Sequence, residues 1–321
     1  MRHNKKEKAI VKSAKTISAT KRERKFFRTG MLFASPWLIG FICFTTIPIL
    51  LAFYYSFTDY NLFTSPTWVG LKNYIDMFQD SYVWLSLRNT LYMVIIGTPA
   101  ELIVALCLAL LLNQKKVFGL PVFRTIFYLP TLVPVVASAM LFMWVLNGNY
   151  GLINQILNLF GIDGPYWLND PKWTKVSLII MDTWRCGSAM IIFLAALRSV
   201  PASLYEAAEM DGAGGLTKFF RITLPYISPT VEFNLLMGMI SRFQYFSQAY
   251  VFASLTDTAG AVGGGPSNSM LFYCLYLYRQ SFLFYKMGYA CAMAILLFVI
   301  IMLATALMLR ISKRMVNYDV E

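Results

Sequence analysis

Six long apolar stretches, separated by shorter polar segments, dominate the pattern along the chain. Several of them exceed the about 18 apolar residues that indicate a helix able to cross a bilayer. Backbone amides and carbonyls find no water in lipid, so a spanning stretch must satisfy them within a helix. The sequence therefore predicts an all-α membrane protein with six transmembrane helices, at about 31–55, 89–112, 125–146, 176–197, 228–253 and 287–309.

The positions of the basic residues predict how these helices cross. Of the 28 Lys and Arg, twenty fall in the two tails and in alternate polar segments, whereas only six fall in the remaining segments. Lys and Arg concentrate on the cytoplasmic side of membrane proteins, so both termini are predicted to be cytoplasmic. The domain prediction is a basic cytoplasmic tail at 1–28, a transmembrane domain at 29–315 and a cytoplasmic tail at 316–321 of a multi-pass protein of the cell membrane.

Composition narrows the class further. The chain is 58% hydrophobic and only 14% charged, whereas a soluble domain carries about 25% charged residues. The net charge of +12 follows the membrane topology, so no nucleic acid partner is predicted. The five cysteines form no Cys-x-x-Cys pair and the single histidine, His3, lies in the tail, so neither a metal site nor a cofactor is predicted.

A polar segment between the fourth and fifth apolar stretches stands out. Ser203 and Glu206 have the spacing of a capping box, in which each side chain would satisfy the backbone N–H of the other. Gly212, followed by Gly214 and Gly215, is predicted to end that helix, because glycine enters positive-φ conformations without steric cost. We therefore expect two short helices joined by a glycine hinge, on the cytoplasmic side.

This segment resembles the EAA loop of the membrane subunits of ATP-binding-cassette (ABC) importers. The resemblance is carried by Glu206-Ala207-Ala208, by Gly212 and by Ile222-x-Leu224-Pro225. In that family the loop fits a groove on the cytoplasmic ATPase subunit. Gly214-Gly215 departs from the pattern, because a polar residue or alanine is usual there. The resemblance implies that the residues coupling this chain to an ATPase are Glu206, Ala207, Ala208, Asp211, Gly212 and Ala213.

Further motifs extend the resemblance over about residues 31–310. They include Trp68-Val69-Gly70-Leu71-Lys72-Asn73-Tyr74, Asn89-Thr90-Leu91, Gly151-Leu152-Ile153-Asn154 and Gly264-Gly265-Pro266. Together they resemble the carbohydrate branch of type I ABC importers, and the first permease subunits of maltose and glycerol-3-phosphate transporters in particular. That resemblance implies half of a translocation pathway, with a second homologous permease subunit, an ABC ATPase dimer, an extracytoplasmic solute-binding protein and a sugar substrate as partners.

The chain itself is predicted to be a transport subunit and not an enzyme. Its sequence has no Gly-x-x-x-x-Gly-Lys-Ser/Thr loop of the kind that cradles nucleotide phosphates. ATP hydrolysis is therefore assigned to the partner subunit, and no residue of this chain is predicted to be catalytic.

Ionisable residues inside the apolar stretches are costly in lipid and are expected to face a partner or the pathway. Asp182 and Arg185 stand three residues apart, so they could pair on one helix face. Glu101 and Glu232 are expected to pair or hydrogen-bond between helices. The resemblance to maltose-type permeases places the substrate pathway near Arg185, Ser188, Gly238, Arg242 and Tyr245.

The two pathway arginines also suit an anionic cargo, because guanidinium binds carboxylate or phosphate through two parallel hydrogen bonds. An acidic oligosaccharide or a sugar phosphate is therefore one hypothesis for the substrate. Two alternatives remain open at this point: an ABC permease for a non-sugar small solute, and a secondary transporter or channel that works without ATP. A purely structural membrane scaffold would leave the Glu206 loop without a purpose.

Overall fold

The computed structural model describes residues 25–114, 119–256 and 263–312. The predicted tails therefore lie outside the described residues, apart from 25–28. The chain divides into two units, Met1–Tyr55 and Ser56–Glu321. In the first unit a single helix, α1, covers Lys25–Tyr55. It contains a π-helical turn at Ile42–Thr46, just before Pro48. Proline lacks the N–H that would continue the regular ladder, and a π-turn shifts the ladder locally.

The second unit is almost wholly helical. Its one sheet in the described residues is a short antiparallel pair, β1 (Thr58–Asp59) and β2 (Thr67–Trp68). The helices are α2, Lys72–Gln79; α3, Ser81–Leu112; α4, Leu120–Leu132; α5, Val135–Val145; α6, Leu152–Leu159; α7, Thr174–Trp184; α8, Gly187–Ser199; α9, Ala202–Met210; α10, Gly215–Lys218; α11, Ser228–Phe243; α12, Ser247–Thr256; α13, Tyr273–Phe282; and α14, Met287–Ser312.

Two of these helices carry additional local features. Inside α3 a π-helical turn covers Met93–Gly97. A second π-helical turn, Phe219–Thr223, continues α10 and leads into a last short turn, Leu224–Tyr226. The two short helices predicted around the glycine hinge are thus α9 and α10 with its continuation.

Three of the six apolar stretches are broken rather than continuous. α4 and α5 meet at 101°, and α7 and α8 meet at 51°. The first bend has a clear cause: Val133 precedes Pro134 and takes an extended conformation (ψ 130°), because a following proline disfavours the helical region. α11 and α12 are separated by residues 244–246.

Within the described residues, α1, α3 and α14 are long and apolar enough to span a membrane alone, and each bent pair qualifies if counted as one span. The α11–α12 stretch does not qualify, because α11 carries the buried polar residues Glu232, Asn234 and Arg242. The six-span count therefore stays a prediction.

Apolar packing in the second unit brings α3 to the centre. It packs against α7, α8 and α11, and Ala105, Ala109 and Phe193 are among the buried residues where α3 meets α8. Small residues at such contacts let helix backbones approach closely in membrane proteins. The polar side chains of α3, α7 and α11 consequently meet inside the packed helices.

Candidate functional site

The loop predicted to couple to an ATPase is a helix with a defined end. α9 ends at Met210, and Gly212 has φ +74°, which only glycine adopts without strain. The N–H of Ala213 donates to the carbonyl of Ala208 at 2.9 Å, and the N–H of Gly212 donates to that of Glu209 at 3.0 Å. These two bonds form a Schellman motif. The predicted glycine hinge is thus an ordered helix cap.

The N-terminus of α9 differs from the capping box that the sequence predicted. The N-cap is Pro201, with no side-chain hydrogen bond, so the predicted capping box of Ser203 and Glu206 is wrong. Pro201 has φ −61° and an extended ψ of 132°, so the helix begins at Ala202 and places Ser203 inside its first turn. Glu206 is consequently not a capping residue, and its side chain lies exposed on α9.

Side-chain bonds tie this loop to the membrane helices around it. The Tyr205 hydroxyl lies 2.8 Å from Oγ1 of Thr223, and the Tyr226 hydroxyl donates to the Ser199 carbonyl at 3.1 Å. Lys218 also pairs with Glu209 at 2.8 Å. The first two bonds connect α9 and the end of α8 with the turn that leads into α11.

The outward surface of the loop is open. Glu206, Ala207, Asp211 and Gly212 are exposed, whereas Ala208 and Ala213 are half-buried. Apolar side chains surround them in exposed positions, which is typical of a protein-binding surface. The exposed fractions are 89% for Met210, 77% for Leu216 and 61% for Phe220.

A buried ion cluster lies where α3, α7 and α11 meet. Nη1 of Arg242 lies 2.6 Å from Oδ2 of Asp182, and Nη2 lies 2.7 Å from Oε2 of Glu101. The Tyr245 hydroxyl donates to Oδ2 of Asp182 at 2.8 Å. Gly97, the last residue of the π-helical turn of α3, leaves room for this approach, since a Cβ there would lie only 3.1 Å from Nη1 of Arg242.

The cluster confirms one expected pairing and overturns another. Glu101 pairs between helices, as predicted, but Asp182 does not pair with Arg185. α7 ends at Trp184, and Arg185 lies outside the helix at its C-cap, where the chain bends, so the spacing of three no longer places both side chains on one face. Nη2 of Arg185 instead donates to the carbonyl of Val133 at 3.1 Å.

The structure brings together three of the five predicted pathway residues. Arg185, Arg242 and Tyr245 line one cavity of about 160 Å³. Gly238 instead packs against α3, where an added Cβ would lie 2.7 Å from Cγ2 of Thr98. Ser188 is exposed and is not part of the lining. Saccharide-sized ligands occupy pockets of about 300–1,000 Å³, so this cavity is too small for one in the conformation described here.

Comparison with known proteins decides the family. The model of the family "binding-protein-dependent transport system inner membrane component" matches residues 101–317. The chain belongs to this family. The probable ABC transporter permease YesP of Bacillus subtilis is 41% identical over 92% of this chain and 94% of its own length. The sulfoquinovosyl glycerol transport permease SmoG of Agrobacterium fabrum is 32% identical over 88% of this chain and 90% of its own length. The lactose transport permease LacF of Rhizobium radiobacter is 33% identical over 84% of this chain and 88% of its own length.

Solved structures show the same fold. A bacterial ABC transporter involved in the import of the acidic polysaccharide alginate superposes with a TM-score of 0.70 at 24% identity, over 92% of this chain and 98% of that one. The predicted all-α membrane fold and the predicted resemblance to carbohydrate-branch ABC permeases are therefore confirmed. The permease is a multi-pass membrane protein and a transport subunit, as its sequence predicted.

Sequence reasoning missed part of the permease's ion cluster. Ser241 and Gln248 complete the lining of its cavity, and Nε2 of Gln248 lies 3.5 Å from Oδ1 of Asp182. Thr98, the neighbour of Gly238, was also missed. Gln248 could have been found, because it is one of several polar residues in an otherwise apolar stretch. Thr98 carried no such signal, since a threonine is ordinary in a membrane helix.

Proposed function

We propose that this permease subunit forms half of the translocation pathway of an ATP-driven carbohydrate importer and is moved by a separate ATPase. The observation that carries this proposal is α9, an ordered helix with an exposed outer face. Tyr205 of α9 bonds to Thr223 in the turn that leads into α11, and Tyr226 of that turn bonds to Ser199 at the end of α8. A groove on an ATPase would receive Glu206, Ala207 and the Gly212 turn. Both termini and this loop would lie in the cytoplasm.

The partner assignment follows from the family. An ABC ATPase dimer supplies ATP hydrolysis, a second homologous permease completes the pathway, and an extracytoplasmic solute-binding protein delivers the cargo. An alginate transporter of the same fold is described in complex with an alginate pentasaccharide-bound periplasmic protein, which supports the last of these partners. Carbohydrate is the proposed cargo class because relatives at 30% identity or more are named for sulfoquinovosyl glycerol, lactose and arabinooligosaccharides.

The mechanism requires the ion cluster to open and close. ATPase closure moves α9, and the bonds of Tyr205 and Tyr226 carry that motion to α8 and α11. α11 bears Arg242, so its movement pulls this arginine relative to Asp182 on α7 and Glu101 on α3. Packed helices switch between discrete arrangements rather than deforming continuously. The small cavity corresponds to the arrangement in which the cluster is closed.

For the cargo itself we retain an acidic saccharide or a sugar phosphate as the finer proposal. Arg185 is the recognition residue, because it lines the cavity and its side chain has no carboxylate partner among the described residues. Arg242 is already paired with both Asp182 and Glu101. An anionic cargo would therefore reach Arg242 only after the cluster opens, which would link cargo entry to the conformational change.

Transport by the reconstituted complex tests the proposal. The permease is reconstituted in vesicles with its second permease, ATPase and binding protein, and uptake of neutral and acidic oligosaccharides is measured. We expect saccharide uptake that requires ATP inside the compartment equivalent to the cytoplasm. Uptake driven by an ion gradient without any ATPase would instead identify a secondary transporter. Transport of a non-sugar solute alone would refute the carbohydrate cargo, and a preference for neutral oligosaccharides would refute the acidic one.

A further inference from the structure

A second and larger cavity lies away from the ion cluster. It occupies about 550 Å³ between α2, the start of α3 and the corner where α13 meets α14. The two cavities share no lining residue. The charge pattern places these segments on the extracytoplasmic side. The volume lies within the range of about 300–1,000 Å³ that is typical of small-molecule sites.

One half-buried carboxylate, that of Asp80, organises the inner wall of this cavity. Oδ2 of Asp80 accepts hydrogen bonds from the hydroxyls of Tyr276 at 2.5 Å and Tyr289 at 2.9 Å, and Oδ1 accepts from the backbone N–H of Tyr82 at 2.8 Å. Burial, together with the hydrogen bond to Asp80, raises the pKa of the Tyr276 phenol. The three hydrogen bonds to Asp80 therefore hold this wall together without a ligand.

Gln280 provides an acceptor without a partner on the same wall. It lines the cavity and is 93% buried, since only 7% of its surface is exposed. Its Oε1 has no hydrogen-bond partner among the described residues. Leaving a buried carbonyl oxygen without a partner has a free-energy cost. A ligand hydroxyl in the cavity would remove that cost.

The remaining lining has the chemistry of a polyol site. Four tyrosines offer ring faces and hydroxyls, three aspartates and an asparagine offer acceptors, and two lysines offer donors. Sugar hydroxyls both donate and accept, and sugar C–H faces pack on aromatic rings, so this mixture suits a saccharide. Carboxylates outnumber ammonium groups in the lining, which favours binding through hydroxyls over binding through an anionic group.

We propose that this cavity is an extracytoplasmic saccharide-binding site, separate from the pathway at Arg242, with Gln280 as a ligand-binding residue. The site would hold a sugar on the permease before or after it passes from the binding protein. The ligand class rests on the proposed carbohydrate function, whereas the cavity and its unpartnered acceptor do not. The proposal commits to a soluble sugar rather than to a glycolipid head group.

Ligand binding to the full chain in phospholipid nanodiscs without sugar head groups tests this site. Saturation-transfer NMR measures the binding of lactose, maltose and digalacturonate to the wild type, to Gln280→Leu and to Gln155→Leu. The second variant is a matched control, because Gln155 is exposed on α6 and lies outside the cavity. We expect a neutral disaccharide to bind at least as tightly as digalacturonate, with affinity lost at least tenfold in Gln280→Leu and unchanged in Gln155→Leu.

A second readout separates binding from folding. Leucine has a similar volume and removes the unpartnered oxygen together with the amide N–H group beside the Tyr276 hydroxyl, so the ligand-free melting temperature of Gln280→Leu should stay close to that of the wild type. A lower melting temperature would assign Gln280 a structural role and overturn the proposal. Equal sugar binding by wild type and Gln280→Leu, or no binding of any probe to the wild type, would also overturn it. If sugar binds here but ATP-driven uptake fails, the proposed function fails and the site stands.

Discussion

The Arg242 guanidinium and the Asp182 carboxylate, 60 residues apart in sequence, lie 2.6 Å apart between α11 and α7. The Arg242 side chain is 5% exposed and that of Asp182 is 8% exposed, so neither charge is hydrated by bulk water. Desolvating two charges is offset only when the geometry is good and the remaining polar atoms are satisfied. Glu101, Tyr245 and Gln248 supply those additional contacts. The pair is consequently stable as part of a cluster rather than alone.

The first prediction concerns the order of stability losses in this cluster. Removing one partner of a buried ion pair costs about 3–5 kcal/mol. Arg242→Met should be the most destabilising change, because it leaves two carboxylates facing each other. Asp182→Asn should cost less, and Glu101→Gln should cost least, because the Glu101 side chain is 27% exposed. Thermal unfolding in detergent checks this order, and equal losses for all three variants would contradict it.

The second prediction concerns the contact between Gly238 and Thr98. A Cβ on Gly238 would lie 2.7 Å from Cγ2 of Thr98, so Gly238→Ala should destabilise the protein by about 1–3 kcal/mol. Thr98→Ala removes the clashing methyl group, and the Oγ1 that it also removes has no hydrogen-bond partner in the part of the chain that the structure describes. In that background Gly238→Ala should become neutral or stabilising, because alanine is favoured over glycine in a helix by about 1 kcal/mol.

Unfolding measurements on the two single variants and the double variant test this sign change. The double variant should be at least as stable as Thr98→Ala alone. If Gly238→Ala destabilises the protein equally in both backgrounds, then Gly238 matters for another reason, such as direct contact with cargo.

The third prediction concerns coupling to the ATPase. Ala207→Trp and Gly212→Trp place a large side chain on the exposed face of α9 or at its end, and both should abolish ATP-dependent uptake while the protein still inserts. Gly161→Trp is the matched control for Gly212→Trp. Gly161 has φ +73° against +74° for Gly212, and, chain neighbours aside, no atom of the described residues lies within 4 Å of a Cβ added at either glycine.

The strain of a tryptophan at positive φ is therefore the same at both glycines, but Gly161 follows α6 on the predicted extracytoplasmic side. Uptake and ATPase co-purification are measured at matched expression. Loss of uptake in Gly161→Trp as well would show that strain, and not docking, accounts for the effect. Normal uptake by Ala207→Trp and Gly212→Trp would refute the docking surface.

The fourth prediction concerns Asn154, which holds the segment after α5 together. Its Nδ2 donates to the carbonyls of Gly148 at 2.9 Å and Pro165 at 3.2 Å, and its Oδ1 accepts from Nε1 of Trp167 at 2.7 Å. Asn154→Ala leaves the buried Trp167 N–H and two half-buried carbonyls without this partner and should cost at least about 2 kcal/mol. Gln155→Ala, on the exposed next position, should cost less than about 0.5 kcal/mol. Comparable melting temperatures for the two variants would contradict this assignment.

Asparagines in the family motifs hold particular backbone segments in place, and the sequence alone did not predict which segments. Asn73 donates to the carbonyls of Ser56 and Thr58, and Asn89 donates to those of Asn268 and Leu271. Like Asn154, these asparagines satisfy carbonyls in irregular backbone, which are costly to leave unpaired when they are shielded from water. The sequence could mark the motifs as a resemblance, but it could not say which backbone each one holds.

By itself the sequence determined the class of the protein, the position of the α9 loop and the presence of charges that need partners inside the membrane. These properties depend on local composition and spacing, because lipid imposes helices on long apolar stretches and penalises every unpaired charge. Only the tertiary structure decided which charges meet. The chain bends after Trp184, which separates the side chains of Asp182 and Arg185. The packing of α3, α7 and α11 instead brings Arg242 within ion-pair distance of Asp182. Pairing across helices depends on where each helix breaks, and spacing along one helix does not contain that information.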